Sequence, residues 1–297
     1  MKKLIATLAA ALMLTANAFG QDLPTCNIYL FGTSMQDSLL TLSNPQFLTG
    51  FNKNGYNNQP SFVNNAELLI ASASPNDRQT DIYLLDLTAK SRLRMTRTAE
   101  SEFSPKPTPD NLFFSVVRVE TDEDRSQRLW QYPLDRQDAG KAAFRFLRGI
   151  GYYHWLDKFK VALYNVTSGD LNYLSMADTR DAAIQNLSPS VGRCFQTSPN
   201  GRLVYVHKIA DGNWVIKALD KNTLEVTEIC KTISGAEDFV IMKDGSILMG
   251  KGSRLYRFNP TRSKNWQEVA ELKRIGVNDI TRMAVSGDGK LAIVNGG

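Results

Sequence analysis

The sequence predicts an all-β protein that folds as a six-bladed β-propeller with four-stranded blades, the last of them closed by strands from both ends of the chain. Three observations predict this fold: a turn marker that occurs six times, a strand pattern that follows each marker, and a shortage of two strands after the last one. Internal repeats with a period of about 40 to 50 residues indicate propeller blades.

The turn marker is an Asp or Asn that is followed by Gly in three copies and preceded by Pro in two, and a short apolar run comes after it. Successive markers are 43 to 47 residues apart. Asn and Asp tolerate the left-handed backbone of tight turns, and Gly adopts it without a steric penalty. We therefore expect each marker to connect the first two strands of a blade, with positive φ at Asn200-Gly201, Asp244-Gly245 and Asp288-Gly289. The six markers are Asn65, Asp110, Asp157, Asn200, Asp244 and Asp288.

Further strands follow the marker hairpin within each period. A third strand rich in aromatic and β-branched residues, which favour a pleated and half-buried surface, is predicted in five periods. A shorter fourth strand follows, as in 92–96. Four strands in forty-odd residues make one propeller blade. The third strands are predicted at 81–85, 128–132, 170–174, 213–216 and 254–258.

The two ends of the chain complete the sixth blade. After Asp288 there is room for only two strands before Gly297. The missing two are predicted near the other end, at 27–31 and within 39–49. A ring closed in this way leaves only short, protected strand edges, which suits a protein that must not aggregate.

The first twenty residues predict a signal peptide. Lys2 and Lys3 precede the apolar run 4–14, and Ala16-Asn17-Ala18 is a small-x-small cleavage site. The apolar run is shorter than the roughly 20 residues that a membrane span needs. We expect residues 1–20 to be removed and residues 21–297 to form a periplasmic or secreted propeller that does not span a membrane.

Composition narrows the class of partner. The formal net charge is +5, but basic and acidic residues alternate along the chain, whereas a nucleic-acid-binding protein would concentrate its basic residues in a stripe. We therefore expect no nucleic-acid partner. Three cysteines allow at most one disulfide. A Cys194–Cys230 pair and three unpaired, small apolar side chains including Cys26 both remain open.

The repeats resemble those of TolB-like (WD40-like) exported bacterial propellers. The resemblance covers all six periods and is clearest in 55–62, 77–83 and 100–110. It implies a propeller fold, a periplasmic or secreted location and a role in binding a protein or peptide. The Tol translocation protein carries an additional α/β domain ahead of its propeller, and no such domain is expected within this sequence.

Candidate site residues come from aligning the six periods on their markers, because the strand before the marker lines the central channel of a propeller. Such a ring could hold a peptide terminus, an anion or a cation, or it could be a water-filled channel whose charges pair with each other. The aligned positions are Gln59, Ser104, Gly151, Cys194, Asp238 and Arg282, and their neighbours on the predicted rim are Asn57, Glu102, Arg193 and Glu237.

His154 is the remaining candidate for the binding rim. It lies in Tyr152-Tyr153-His154-Trp155, the segment that departs most from the repeat. Departures from a local pattern often mark function or strain. A lone His among aromatic residues is nevertheless more often a hydrogen-bonded packing residue than a base. With His207 as the second histidine in the chain, a site of several histidines is excluded.

No catalytic motif is recognisable. The sequence contains neither a Gly-x-Ser-x-Gly elbow nor a zinc, redox or phosphate-loop motif. We therefore predict a non-catalytic binding propeller without a cofactor. The alternative is a metal-dependent hydrolase of the six-bladed lactonase type, in which Asn57, Glu102 and Asp238 would supply the oxygen ligands that a hard cation such as Ca²⁺ prefers.

Overall fold

The computed structural model describes residues 22–36, 39–167 and 172–296, which form six four-stranded antiparallel sheets, each of them one blade. The predicted signal peptide lies outside these residues. The described chain begins with β1 (Cys26–Gln36) and β2 (Leu39–Phe47). Blade 1 then contains β3 (Tyr56–Phe62), β4 (Glu67–Ala73), β5 (Asp81–Asp86) and β6 (Ser91–Arg94).

The next four blades follow in chain order. Blade 2 contains β7 (Ser101–Pro107), β8 (Phe113–Val119), β9 (Gln127–Pro133) and β10 (Lys141–Ala142). Blade 3 contains β11 (Ile150–Trp155), β12 (Lys160–Asn165), β13 (Tyr173–Asp178) and β14 (Ile184–Pro189). Blade 4 contains β15 (Val191–Thr197), β16 (Leu203–Ala210), β17 (Asn213–Leu219) and β18 (Val226–Lys231). Blade 5 contains β19 (Phe239–Ile241), β20 (Ile247–Lys251), β21 (Arg254–Phe258) and β22 (Gln267–Glu271).

Blade 6 combines both ends of the described chain, as predicted. Its strand order is β2-β1-β24-β23, with β23 (Ile280–Val285) and β24 (Lys290–Gly296) supplied from the C-terminal side. Strands β1 and β24 pair along seven residues, from Cys26 opposite Gly296 to Gly32 opposite Lys290. The predicted closure of the ring is therefore confirmed.

All six markers lie between the first two strands of a blade, which confirms the predicted turns. In the turn of blade 5, the Gly245 N–H donates to the carbonyl of Met242, and Asp244 Oδ1 accepts from the Ser246 N–H at 3.0 Å. Gly245 has φ +79° and follows a residue of ordinary negative φ. The positive φ belongs to the glycine alone, as in three-residue hairpin loops.

The apolar core lies between blades and runs around the ring. Leu69 of blade 1 belongs to a buried cluster with Phe114 of blade 2 and Ala292 of blade 6. Four further clusters join blades 2 and 3, 3 and 4, 4 and 5, and 5 and 6. Burial of this surface, at about 25 cal/mol per Å², therefore depends on each blade having both neighbours.

The innermost strands carry β-bulges that direct side chains toward the axis. Pairing shifts register between Asn58 and Ser61 in β3, and between Phe103 and Lys106 in β7. Gln59 and Ser104 each have φ +53°, a left-handed conformation that is uncommon for residues other than glycine. A bulge re-aims the side chains that follow it, so residues before and after each bulge face different surroundings.

Two further expectations concern membranes and thiols. The helices among the described residues are two short 3₁₀ turns, Gly50–Asn52 and Lys273–Ile275, and neither is long and apolar enough to cross a membrane. The three cysteines are free thiols: Cys26 is buried, whereas Cys194 and Cys230 are half-buried. Cys194 lies against blade 5, with its sulfur 3.2 Å from the Phe239 carbonyl oxygen.

Candidate binding site in the central channel

The innermost strands enclose a narrow cavity of about 70 Å³ on the propeller axis. Every blade contributes to its wall. Each innermost strand starts where the chain crosses from one blade to the next and ends at a marker turn. We call the end of the channel at the crossings the connection face, and the end at the marker turns the turn face. The charged and polar lining residues are Gln59, Ser61, Ser104, Lys106, Tyr152, Arg193, Cys194, Gln196, Asp238 and Arg282.

Asp238 is held by two arginines from the blades on either side of it. Arg193 of blade 4 donates to Asp238 Oδ2 from Nε at 3.0 Å and from Nη2 at 2.9 Å. Arg282 of blade 6 donates from Nη1 to Oδ1 at 2.8 Å and to Oδ2 at 2.7 Å. Burial alone would raise the pKa of Asp238, but the two guanidinium groups outweigh it and hold that pKa below its ordinary value.

Arg282 also contacts the opposite side of the channel. Arg282 Nη2 donates to the Tyr152 hydroxyl at 3.2 Å, and its guanidinium lies 5.3 Å from the centre of the Tyr152 ring. Tyr152 is on β11 of blade 3, which lies opposite blade 6 in a ring of six. We call Tyr152, Arg193, Asp238 and Arg282 the channel network. This network obstructs the channel near the start of the innermost strands.

Two charged residues extend the network toward the connection face. Glu237 Oε1 lies 3.3 Å from Arg193 Nε, and Lys208 Nζ lies 2.8 Å from Glu237 Oε2. The predicted rim residue Glu237 is therefore paired on both sides. Ion pairs in the network join three consecutive blades, so these charges also stabilise the geometry of the ring.

Lys106 lies on the other side of the network, near the end of β7. It is half-buried, and burial, aided by the nearby positive charge of Arg282, lowers the pKa of its ammonium group. Among the described residues, no oxygen accepts a hydrogen bond from Lys106 Nζ. Lys106 is therefore a channel cation without a hydrogen-bonding or ion-pair partner in the described part of the chain.

His154 lies close enough to Lys106 for the two to interact electrostatically. Burial, and then the charge of Lys106, hold the pKa of His154 well below its usual range, so the imidazole is neutral at physiological pH. Its Nε2 lies 2.7 Å from Thr197 Oγ1, while its buried Nδ1 has no partner among the described residues. His154 itself is not among the residues that line the cavity.

Other predicted channel residues tie neighbouring blades together. The predicted residue Gln59 accepts a hydrogen bond from the Ser104 N–H at 2.9 Å. Gln196, which was not predicted, makes a similar link by donating to the Phe239 carbonyl at 3.2 Å. Gly151 does not line the cavity, because a side chain at its position would point at Val166 and Tyr164. Tyr152 takes the channel position of blade 3 instead.

Two predicted rim residues are enclosed between strands and do not line the cavity. Asn57 is 0% exposed, donates to the carbonyls of Cys26 and Asn52, and accepts from Ser72 Oγ. Its side chain joins β3 to the start of β1. The residue supports the closed ring.

Glu102 is likewise 0% exposed. It accepts hydrogen bonds from Thr96 Oγ1 at 3.2 Å, from the Thr98 hydroxyl and from the Tyr132 hydroxyl at 3.3 Å. Burial raises the pKa of Glu102 to about 7, and the charge of Asp81 adds to the effect. This carboxyl group therefore joins the link between blades 1 and 2 to the body of blade 2.

The trio expected of a lactonase-type metal site is not assembled. Asn57 and Glu102 are surrounded by their own hydrogen-bonding partners, and both oxygens of Asp238 are bound by arginines. No group of three or more His, Cys, Asp or Glu side chains within 22–36, 39–167 and 172–296 is arranged to hold a metal ion. A cation placed at Asp238 would also meet the positive charges of Arg193 and Arg282.

Four polar lining residues, Ser61, Lys106, Tyr152 and Gln196, were not predicted to line the channel, although the segment that contains Tyr152 was singled out. Lys106 could have been found from the two-residue period of a strand, since it follows Ser104 by two positions. The prediction assigned the channel position of blade 3 to Gly151, one residue before Tyr152, because β11 shifts register between Ile150 and Tyr152. No signal in the sequence reveals that shift.

Comparisons with known proteins show similarity of fold. No protein-family model matches the chain, and no curated protein matches its sequence. A structure described as TolB from Agrobacterium tumefaciens has a TM-score of 0.68 at 11% identity, covering 92% of this chain and 99% of that one. TolB from Acinetobacter baumannii has a TM-score of 0.58 at 14% identity, covering 92% of this chain and 64% of that longer one.

An enzyme shares the same architecture. Oligogalacturonate lyase from Vibrio parahaemolyticus has a TM-score of 0.52 at 13% identity, with 92% of this chain and 98% of that one covered. Identities this low establish the fold, and one fold hosts many functions. The chain is thus a six-bladed β-propeller of TolB-like fold.

Proposed function

We propose that the protein is a non-catalytic binding propeller whose partner, a protein or peptide, docks on the turn face over the central cavity. The observation that carries this proposal is the channel network, which presents fixed charges around a cavity instead of a nucleophile with a base. Asp238 is held in place by four short hydrogen bonds from two arginines. Such preorganised polar groups lower the cost of ordering an interface.

The turn face is favoured over the connection face by the position of the network. The hydrogen bond between Arg282 and Tyr152 crosses the channel near the connection face, whereas Ser61, Lys106 and Gln196 line the cavity near the turn-face ends of their strands. Polar anchors inside a water-excluded pocket contribute far more to affinity than exposed charges do.

Site-specific photo-crosslinking in the native cell envelope tests this proposal. A benzophenone amino acid is placed at Lys243 on the turn face, at Asp279 on the connection face, or at Gln267 on the outer edge of blade 5; all three residues are exposed. We expect a discrete crosslinked partner from Lys243 alone. Crosslinks of equal yield from Gln267 would contradict a channel-centred site, and crosslinks from Asp279 alone would move the site to the other face.

Export is part of the same proposal and rests on residues 1–20. We expect fractionation to recover the protein outside the cytoplasm, with an N-terminus close to residue 21. Recovery of the uncleaved chain in the cytoplasm would contradict it.

The lactonase-type hydrolase remains the competing hypothesis, because enzymes share this fold. The arginine-bound Asp238 favours binding over metal catalysis. Adding calcium to the purified protein is therefore expected to leave its melting temperature unchanged. A calcium-dependent rise accompanied by lactone hydrolysis would favour the enzyme.

A further inference from the structure

The wall of the channel cavity carries an excess of positive charge. Three of its residues are basic, Lys106, Arg193 and Arg282, whereas Asp238 is the one acidic residue among them. Asp238 is shared by both arginines, so it neutralises at most one of them, and Glu237, which pairs with Arg193, is itself shared with Lys208. Charges of one sign inside walls of low dielectric concentrate the field and attract a ligand of the opposite sign.

The three basic residues differ in the groups that they contact. The arginines are held by Asp238, and the hydroxyl of Tyr152 also accepts from Arg282. Lys106 has neither an ion pair nor an acceptor among the described residues. The half-buried ammonium group of Lys106 keeps only part of its hydration, and an anion would compensate for the part it has lost, so the cavity is complementary to a ligand that brings a negative charge to Lys106.

The size of the cavity restricts that ligand. A water-sized group needs about 10 to 15 Å³ of such space, so about 70 Å³ accommodates a few non-hydrogen atoms. A carboxylate with the carbon that bears it fits this space, whereas a sugar ring does not. The obstruction by Arg282 and Tyr152 means that the group must enter end-on from the turn face.

We propose that the turn-face half of the channel is a carboxylate socket. In it, Lys106 binds the carboxylate of a docked peptide, and Arg193 and Arg282 supply further positive charge at the inner end of the cavity. The inference rests on the proposed binding function and specifies its ligand chemistry. The carboxylate belongs to the C-terminus of the peptide or to an acidic side chain, and both would make the same ion pair with Lys106. His154, whose buried Nδ1 has no partner in the part of the chain that the structure describes, interacts electrostatically with Lys106 but does not line the cavity.

Four probes distinguish the source of the carboxylate. They are acetyl-trialanine with a free C-terminus, the same peptide as its C-terminal amide, acetyl-Ala-Glu-Ala-amide, and inorganic phosphate. Binding is followed by NMR titration of ¹³C-lysine-labelled protein, in which the Lys106 signal is assigned by its loss in Lys106→Met. We expect the free acid or the glutamate peptide to bind at least about tenfold more tightly than the amide, a difference of about 1.4 kcal/mol.

Two lysine variants test whether Lys106 is the group that binds the carboxylate. Lys106→Met keeps the aliphatic stem and lies outside the channel network, so the fold is retained, and we expect the preference for the carboxylate peptides to disappear. Lys273→Met, at an exposed lysine away from the channel, should leave the preference intact. Equal binding of acid and amide, or a preference that survives Lys106→Met, would overturn the socket, as would binding of phosphate without either carboxylate peptide.

The two proposals fail in different ways. If Lys106→Met leaves the crosslink from Lys243 and the peptide preference unchanged, the binding propeller stands and the socket is wrong. If the wild-type protein binds the carboxylate peptides through Lys106 but Lys243 yields no crosslink, the socket stands as a peptide-binding cavity and docking on the turn face is wrong.

Discussion

At the scale of single residues, the charged groups of the innermost strands other than Lys106 are either paired in the cavity or enclosed between strands. Asp238 and Arg282 line the cavity and pair with one another, whereas Glu102 is enclosed between strands and bonded to threonine and tyrosine hydroxyls. Removing one member of a buried ion pair typically costs about 3 to 5 kcal/mol, because it leaves a charge unpaired. These residues therefore affect stability as well as binding.

Glu102 predicts a measurable pH dependence of stability. Its pKa of about 7 in the folded protein is higher than the ordinary value of 4.5, so the folded state holds its proton more tightly than the unfolded state does. Stability is then highest below about pH 4.5 and falls as the pH rises to about 7, by at most about 1.4 kcal/mol per pH unit from this group. We expect Glu102→Gln to remove this decline, as measured by urea unfolding from pH 4.5 to 8.

The control for this measurement is Glu225→Gln, at an exposed glutamate on the turn between β17 and β18. Its stability profile should follow that of the wild-type protein. A Glu102→Gln profile that declines as steeply as the wild type would show that Glu102 is not the titrating group.

At the scale of elements, the marker turns can be predicted from the local sequence, whereas the bulges cannot. The turns are specified locally. In blades 4, 5 and 6 a glycine takes the left-handed position, and in blades 2, 3 and 5 the marker aspartate accepts hydrogen bonds from backbone N–H groups of its own turn. The bulges in β3 and β7 are stabilised by contacts with a neighbouring blade: Gln59 lies in one bulge and binds the Ser104 N–H in the other. Local sequence alone does not report that contact.

Gly245 provides the test at this scale. A Cβ atom at this position would come no closer than 3.9 Å to Pro199, so any cost arises from the backbone at φ +79°. Gly245→Val should destabilise the protein by about 1 to 3 kcal/mol in urea unfolding. Gly245→Asn should cost less, because asparagine tolerates the left-handed region. Equal stability of the valine and asparagine variants would contradict this account of the turn.

At the scale of the whole molecule, closure of blade 6 completes the buried surface. Ile28 and Leu30 on β1 belong to the same apolar cluster as Ala292 and Val294 on β24 and as residues of blades 1 and 2. Without β1 and β2, this cluster would be opened and β24 would become an unpaired edge, a template for aggregation.

A truncated chain tests this closure. A protein that begins at Gly50 lacks β1 and β2, and we expect it to lose cooperative thermal unfolding and to aggregate, because its last blade cannot be completed. The control begins at Asp22 and keeps both strands. If the shorter chain melted at the same temperature and as cooperatively as the control, blade 6 would not be needed to hold the ring together.

The sequence by itself determined the number of blades, the position of every marker turn and the closure of blade 6, because repeat period, turn chemistry and strand pattern are local properties of the chain. Only the tertiary structure decided which charges meet in the channel. Glu102 and Lys106 lie on the same strand, yet the bulge between Phe103 and Lys106 directs one between strands and the other to the cavity. Whether a side chain near a bulge is enclosed, paired or left open to the cavity depends on the blades around it, which the local pattern does not encode.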